Sequence, residues 1–221
     1  MMVALPPGLL EAPELALYQE QIRALLDEER LRREKFRQEL SPSVKAEFIN
    51  GEIIVHSPAM ARHIIAKKNL LTLLDAHVKV HRLGLVLDEK ALIALTRNDY
   101  EPDINFFSTP KAGSIQPDQH IFPVPDFIVE VLSASTESRD RGIKFRDYAA
   151  HGVHEYWLVD PDAEIVEQYE NAEGQYKLLL KQNSGTIASR VVQGFEVPAR
   201  AIFDSEENLS ALRRLLSASG R

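Results

Sequence analysis

Apolar residues stand at helical spacing between Glu14 and Leu40, where Leu15, Ile22, Leu25, Leu26 and Phe36 interrupt a run of charges. Strong helix formers dominate there, so the stretch predicts one long amphipathic helix that ends at Ser41-Pro42. Its expected role is to cover the core or to meet a partner chain. The residues before it, with Pro6, Pro7, Gly8 and Pro13, read as a loose lead. Ala46 to Val55 alternates in the manner of strands around Asn50-Gly51, which predicts a hairpin on a type I′ turn. Pro58 introduces a second helix to about Arg82, striped by Ile64, Ile65, Leu70, Leu71, Leu73 and Leu74 and stopped by Gly84.

Strand patterns follow at Leu85–Leu95 and Ile104–Phe107, then a polar loop from Ser108 to Pro123. Phe127–Leu132 is almost continuously apolar, as expected of a strand covered on both faces. Glu137–Ala150 reads as a helix. Strands are expected at Glu155–Val159 and Ile165–Tyr169 around a turn at Asp160-Pro161-Asp162. Shorter strands are expected at Tyr176–Leu180, Thr186–Val192 and Phe195–Val197, and a closing helix at Leu209–Leu216. This order predicts an α/β fold, a mixed sheet with helices on its faces. The expected division is a lead and amphipathic helix over 1–43, a main domain over 44–205 and a C-terminal helix over 206–221.

Composition narrows the picture. A chain of 221 residues can bury one substantial core. With no cysteine, a disulfide framework and a thiolate metal site are both excluded, which fits a reducing cytoplasm. Met1 to Leu10 lacks the basic start of a signal peptide, and no apolar stretch is long enough to span a membrane. The net charge of −7 disfavours tight nonspecific binding to nucleic acid and weighs against any nucleic-acid enzyme.

Against that stands one constellation. Asp103 lies where a polar start, Glu101-Pro102-Asp103, runs into an apolar strand, and Glu130 sits inside Phe127–Leu132. A lone carboxylate in a buried strand costs several kcal/mol unless something pairs with it. Lys144 follows on the next helix. Three strand residues at roughly 3.3 Å and seven helical residues at roughly 1.5 Å both span about 10 Å, so a helix folded back over the strand brings Lys144 level with Glu130. Two acids and a lysine suit a bound cation and a phosphate to be cut. Asp140 shares a helix face with Lys144, and a plain surface pair between them is the competing reading.

Other candidates read as structural. Asp126 shares a strand and face with Glu130 and reads as a polar strand start. Glu101 reads as a solvated strand end, and His77 with His81 as solvated helix residues lacking a third metal ligand. His151 and His154 flank a turn, and Tyr156 and Trp157 read as strand packing. Ser133 lacks the glycines of a nucleophile elbow. Arg139, Arg141 and Arg146 would supply a local basic rim beside Lys144.

Pro102-Asp103, Val129-Glu130-Val131-Leu132-Ser133 with Ser135-Thr136, then Asp140, Lys144, Tyr148 and Glu155-Tyr156-Trp157-Leu158-Val159-Asp160-Pro161 together resemble the Uma family. That family belongs to the PD-(D/E)XK nuclease superfamily, and the likeness covers about residues 44–205. It implies a restriction-endonuclease-like fold with Mg²⁺ or Mn²⁺ held by Asp103 and Glu130. Lys144 matches the lysine that the family carries on the following helix; the superfamily's usual lysine position is Leu132 here. Glu47 matches an acid of the family's opening hairpin, as a second-site or water-mediated ligand, although the tyrosine usual before it is Ala46. His63 falls where the family often has histidine.

The implied function is a metal-dependent endonuclease acting on DNA in the cytoplasm, with a homodimer expected through the N-terminal helix. The alternative is a catalytically inactive scaffold of the same fold that binds nucleic acid or a partner protein.

Overall fold

The structure, a computed structural model, describes residues 5–41 and 43–218. Residues 1–4, Pro42 and residues 219–221 lie outside the described residues. A short 3₁₀ turn precedes α1 (Leu15–Glu39). The hairpin is β1 (Ala46–Ile49) and β2 (Glu52–Val55), with Asn50 at φ 50° and Gly51 at φ 84°, the two left-handed residues of a type I′ turn. Next come α2 (Ala61–His81), β3 (Gly84–Asp88), β4 (Leu92–Ala94), β5 (Asp99–Tyr100), β6 (Ile104–Ser108), α3 (Thr109–Ala112), β7 (Ile121–Phe122) and β8 (Phe127–Val131). The chain continues through α4 (Glu137–Asp140), α5 (Ile143–Ala150), β9 (Glu155–Asp160), β10 (Ile165–Ala172) and β11 (Gln175–Gln182). It closes with β12 (Thr186–Ala188), β13 (Glu196–Pro198), α6 (Arg200–Phe203) and α7 (Ser205–Ala218).

The strands form a six-stranded sheet in the order β11-β10-β9-β8-β6-β3, a five-stranded sheet in the order β2-β1-β5-β4-β7, and the pair β12-β13. In the large sheet β8 and β9 run parallel, joined across α4 and α5, and the other neighbours are antiparallel. Alternation along β8 divides the interior. Phe127, Val129 and Val131 join Leu70, Leu73 and Leu74 of α2 with Trp157 and Ile202. Ile128 and Leu132 join Tyr100, Tyr148, Tyr156 and Leu158 on the other face. Glu130 points into that second face, so its charge must be met there.

Several expectations needed correction. Leu85–Leu95 is two strands in different sheets, separated by a turn with Lys90 at φ 79°. The predicted single sheet is therefore three. The helix over Glu137–Ala150 breaks at Gly142, whose backbone (φ −109°, ψ −97°) leaves the helical region and where a Cβ would lie 2.5 Å from the Ser138 carbonyl oxygen. The helix α2 ends on Arg82 in the left-handed region rather than on Gly84. Gly84 is instead required at the start of β3, since a Cβ there would lie 2.0 Å from the Phe107 carbonyl oxygen. The loop before Pro123 contains α3 and β7, and α6 was not foreseen.

The helix α1 is attached by its second half only. Phe36 packs on Phe48, Arg33 and Arg37 both grip buried Asp99, and Glu29 pairs with Arg97. Leu17, Tyr18, Ile22, Leu25 and Leu26, in its first half, are exposed. No described helix is long and apolar enough to cross a membrane.

Candidate active site

The pairing of β6 with β8 matches Ile104 to Val129 and Asn105 to Ile128. Carried one residue further, the same register sets Asp103 opposite Glu130. The backbone N–H of Val131 donates to Asp103 Oδ2 at 2.8 Å, which ties the two strand ends together. Asp103 Oδ1 accepts from Lys45 Nζ at 2.8 Å, and His63 Nε2 lies 3.7 Å from Oδ2. Both acids are 2% exposed.

Lys144 reaches this pair from α5. Its Nζ lies 3.0 Å from Glu130 Oε1, 2.9 Å from Glu47 Oε1 and 3.2 Å from Asp140 Oδ1. The Asp140–Lys144 pair therefore exists, but both side chains are buried and the pair belongs to the cluster. The Asp140 contact lacks hydrogen-bond geometry, so Oδ1 remains a buried acceptor without a donor. Tyr148 OH donates to Glu130 Oε1 at 3.0 Å. Glu47 also accepts the Glu101 N–H on Oε1, and His56 Nε2 lies 3.0 Å from its Oε2. Its carboxylate is thus engaged by Lys144, the Glu101 N–H and His56.

Burial raises all these acids, and neighbours decide the outcome. Around Glu130 burial is joined by Asp140, Asp103 and Glu47, which outweigh Lys144 and push its carboxyl up to about 8. Burial also raises Asp140. At Glu47 burial is overcome by Lys144 and His56, leaving it at about 2. At Asp103 it is overcome by Lys45 and His63, and the group stays well below the usual carboxylate range. Burial would lower Lys144, but Glu130, Glu47 and Asp140 hold it well above an ordinary lysine. The cluster sets four carboxyl groups, Asp103, Glu130, Glu47 and Asp140, against two lysines, Lys45 and Lys144.

Asp103, Glu130, Lys144 and Glu47, the residues singled out from the sequence, are all brought into this one cluster. Lys45, His56 and the burial of Asp140 were missed. Alternation offered one signal, because Lys45 stands two residues before Glu47 and so faces the same way.

The rival residues fall elsewhere. Asp126 is held by Lys111 at 2.7 Å and by the Ser108 N–H, a structural strand start as expected. Glu101 is not solvated: it is 1% exposed, with Oε2 buried and unpartnered, and burial raises its carboxyl. His77 is likewise buried, with Nε2 at 2.9 Å from the Gln193 carbonyl. His151 is held by Asp147 and Thr96. Arg141 is committed to Glu137 and Glu167, which removes it from the expected basic rim.

Among the described residues no group of three or more His, Asp or Glu side chains is arranged to hold a metal. The carboxylates of Asp103 and Glu130 are nevertheless the donor type of Mg²⁺, which takes one or two carboxylates and keeps several waters, and an ion there would displace Lys45 from Asp103 Oδ1. Burial and the neighbouring acids raise Glu130, and an added cation would act in the opposite direction.

Comparison with known proteins agrees with this architecture. A protein of Anabaena variabilis, described as a putative nuclease belonging to DUF820, has a crystal structure that superposes with a TM-score of 0.67. At 18% identity the match covers 81% of this chain and 97% of that one, and it establishes the restriction-endonuclease-like fold. Two uncharacterized proteins of Synechocystis are 30% identical over 143 residues and 31% identical over 155 residues. Those matches cover 63% and 69% of this chain, and 74% and 86% of the relatives. Residues 27–200 match the Uma2 family, described as "Putative restriction endonuclease", and the chain belongs to that family.

Proposed function

We propose that this protein is a divalent-metal-dependent endonuclease that hydrolyses phosphodiester bonds in DNA, with water as the nucleophile. The observation that carries the reading is the placement of Asp103 opposite Glu130, at the ends of adjacent strands, with Lys144 bonded to Glu130. Asp103 and Glu130 would hold the ion, Mg²⁺ or Mn²⁺. When bound, such an ion neutralises the phosphate and makes water easier to deprotonate. Lys144 holds a fixed ammonium beside Glu130 and is placed to orient water or to stabilise charge developing on the phosphate oxygens. Glu47 and Tyr148 position that pair, Glu47 through Lys144 and Tyr148 through Glu130.

A second reading is favoured by specific observations. Leu132 stands at the usual lysine position, Lys144 is shared among three carboxylates, and the chain is acidic. These suit an inactive scaffold that binds nucleic acid or a partner protein. Incubation of the purified protein with plasmid and Mg²⁺ or Mn²⁺, beside Asp103→Ala and Glu130→Ala, separates the two. Wild-type nicking above both variants supports the nuclease; equal backgrounds leave the scaffold. The exposed apolar residues of α1 support pairing with a second copy, which a two-strand cut would use, and sedimentation of the full chain tests it.

A further inference from the structure

Beside the acid cluster, two lysines share one carboxylate. Lys45 lies just before β1, Lys67 on α2, and Glu89 in the turn between β3 and β4. Lys67 Nζ is 2.6 Å from Glu89 Oε1, and Lys45 Nζ is 3.5 Å from Glu89 Oε2. The lysine side chains are 11% and 20% exposed, whereas that of Glu89 is 38% exposed. Two largely buried cations are thus capped by a carboxylate that faces solvent. Lys45 also donates to Asp103 Oδ1, so the pair opens directly onto the acid cluster.

We propose that Lys45 and Lys67 clamp a backbone phosphate of the DNA, and that Glu89 occupies this clamp in the free protein. The inference rests on the nuclease reading and extends it to how the substrate is held. A phosphodiester offers two anionic oxygens on one centre with a single negative charge, as the Glu89 carboxylate does. Exchange of one for the other keeps the charge balance at the lysines. The lysines are largely buried, so the cap opens only as an incoming phosphate takes its place and keeps both cations paired. Glu89 belongs to a turn and to no strand, so it can withdraw without breaking a sheet. A phosphate seated on Lys45 would lie next to Asp103, which places the bond to be cut at the acids. Docking of DNA at an acidic protein then relies on a local pair of cations rather than on the net charge.

Binding of a short fluorescent duplex, measured by anisotropy in EDTA so that cleavage is silent, tests this with Glu89→Gln and Lys67→Gln. Melting curves confirm that both variants fold, and wild-type cleavage with Mn²⁺ is measured in parallel. Glu89→Gln is expected to bind about fivefold tighter. Lys67→Gln is expected to bind about fivefold weaker, with the slope of log affinity against log salt reduced by about 0.9. Unchanged binding in both variants overturns the clamp, and cleavage by wild type would leave the nuclease reading intact. The expected shifts without any cleavage would keep the clamp and remove the nuclease. Displacement of the duplex by an equal concentration of inorganic phosphate would reduce the site to a free-anion pocket and overturn its assignment to DNA.

Discussion

Asp103 accepts the Val131 N–H, one residue past Glu130 on the neighbouring strand, yet the two carboxyls are treated oppositely by the protein. Lys45 and His63 hold Asp103 well below the usual carboxylate range, while burial and three neighbouring acids push the Glu130 carboxyl up to about 8. One carboxyl is pushed down and the other up. This asymmetry sets the first prediction.

Because the folded-state pKa of Glu130 lies above its ordinary 4.5, the folded protein binds that proton more tightly than the unfolded chain. The stability it contributes is complete below about pH 4.5 and is lost as pH rises towards 8. Glu130→Gln mimics the protonated form. Its Tm should match wild type near pH 5 and exceed it increasingly towards pH 8, in metal-free buffer. A difference that does not vary with pH would contradict the assignment.

Metal should act on the same strain. Calorimetric titration with Mg²⁺ or Mn²⁺ is expected to show binding by wild type and none by Glu130→Ala or Asp103→Asn. At a hundredfold excess over Kd, the ion should stabilise wild type by about 2.7 kcal/mol. Equal shifts in all three proteins would place the ion elsewhere.

Lys144→Met strips the cation from Glu47, Glu130 and Asp140, all buried. Removing one partner from a buried ion pair costs about 3–5 kcal/mol, and loss of charge stabilisation at the phosphate costs about 10²–10³ in rate. Urea unfolding should show the first. Adding Glu130→Gln should restore part of the stability but no cleavage, since the two changes are coupled through one contact.

Asp99 is fully buried and receives both Arg33 and Arg37 of α1. Asp99→Ala leaves two guanidinium groups facing an empty site and should free α1 from the sheet. Limited proteolysis is expected to cut within 15–39 of the variant well before wild type, at a stability loss of about 3–5 kcal/mol. Wild-type resistance would mean that Phe36 and Glu29 suffice to hold the helix.

Gly142→Ala should destabilise the break between α4 and α5 by about 1–3 kcal/mol, because the new Cβ meets the Ser138 carbonyl oxygen. Lys144 follows two residues later, so cleavage should fall further than the stability change explains. Full activity with lowered stability would show that the position of Lys144 tolerates the shift.

Much of this site was legible in the chain. A charge inside Phe127–Leu132 announced a buried carboxylate in need of a partner, and element lengths placed Lys144 level with it. Asn50-Gly51 specified the hairpin that carries Glu47. The break at Gly142 was not legible, since glycine is tolerated within helices and only the approach of the Ser138 carbonyl makes it necessary here. Glu101 and His77 look solvated in the chain because strand ends and helix faces usually are, and the elements packed over them reverse that.

The sequence by itself determined the longer helices and strands, which of their faces are apolar, and that Glu130 needs a partner for its charge. The tertiary structure alone decided that Lys45 pairs with Asp103 and Lys67 with Glu89, and that one predicted strand divides between two sheets. The reason is physical. Local periodicity records what a side chain points away from, whereas the partner of a charge is set by the element that packs opposite, often dozens of residues distant.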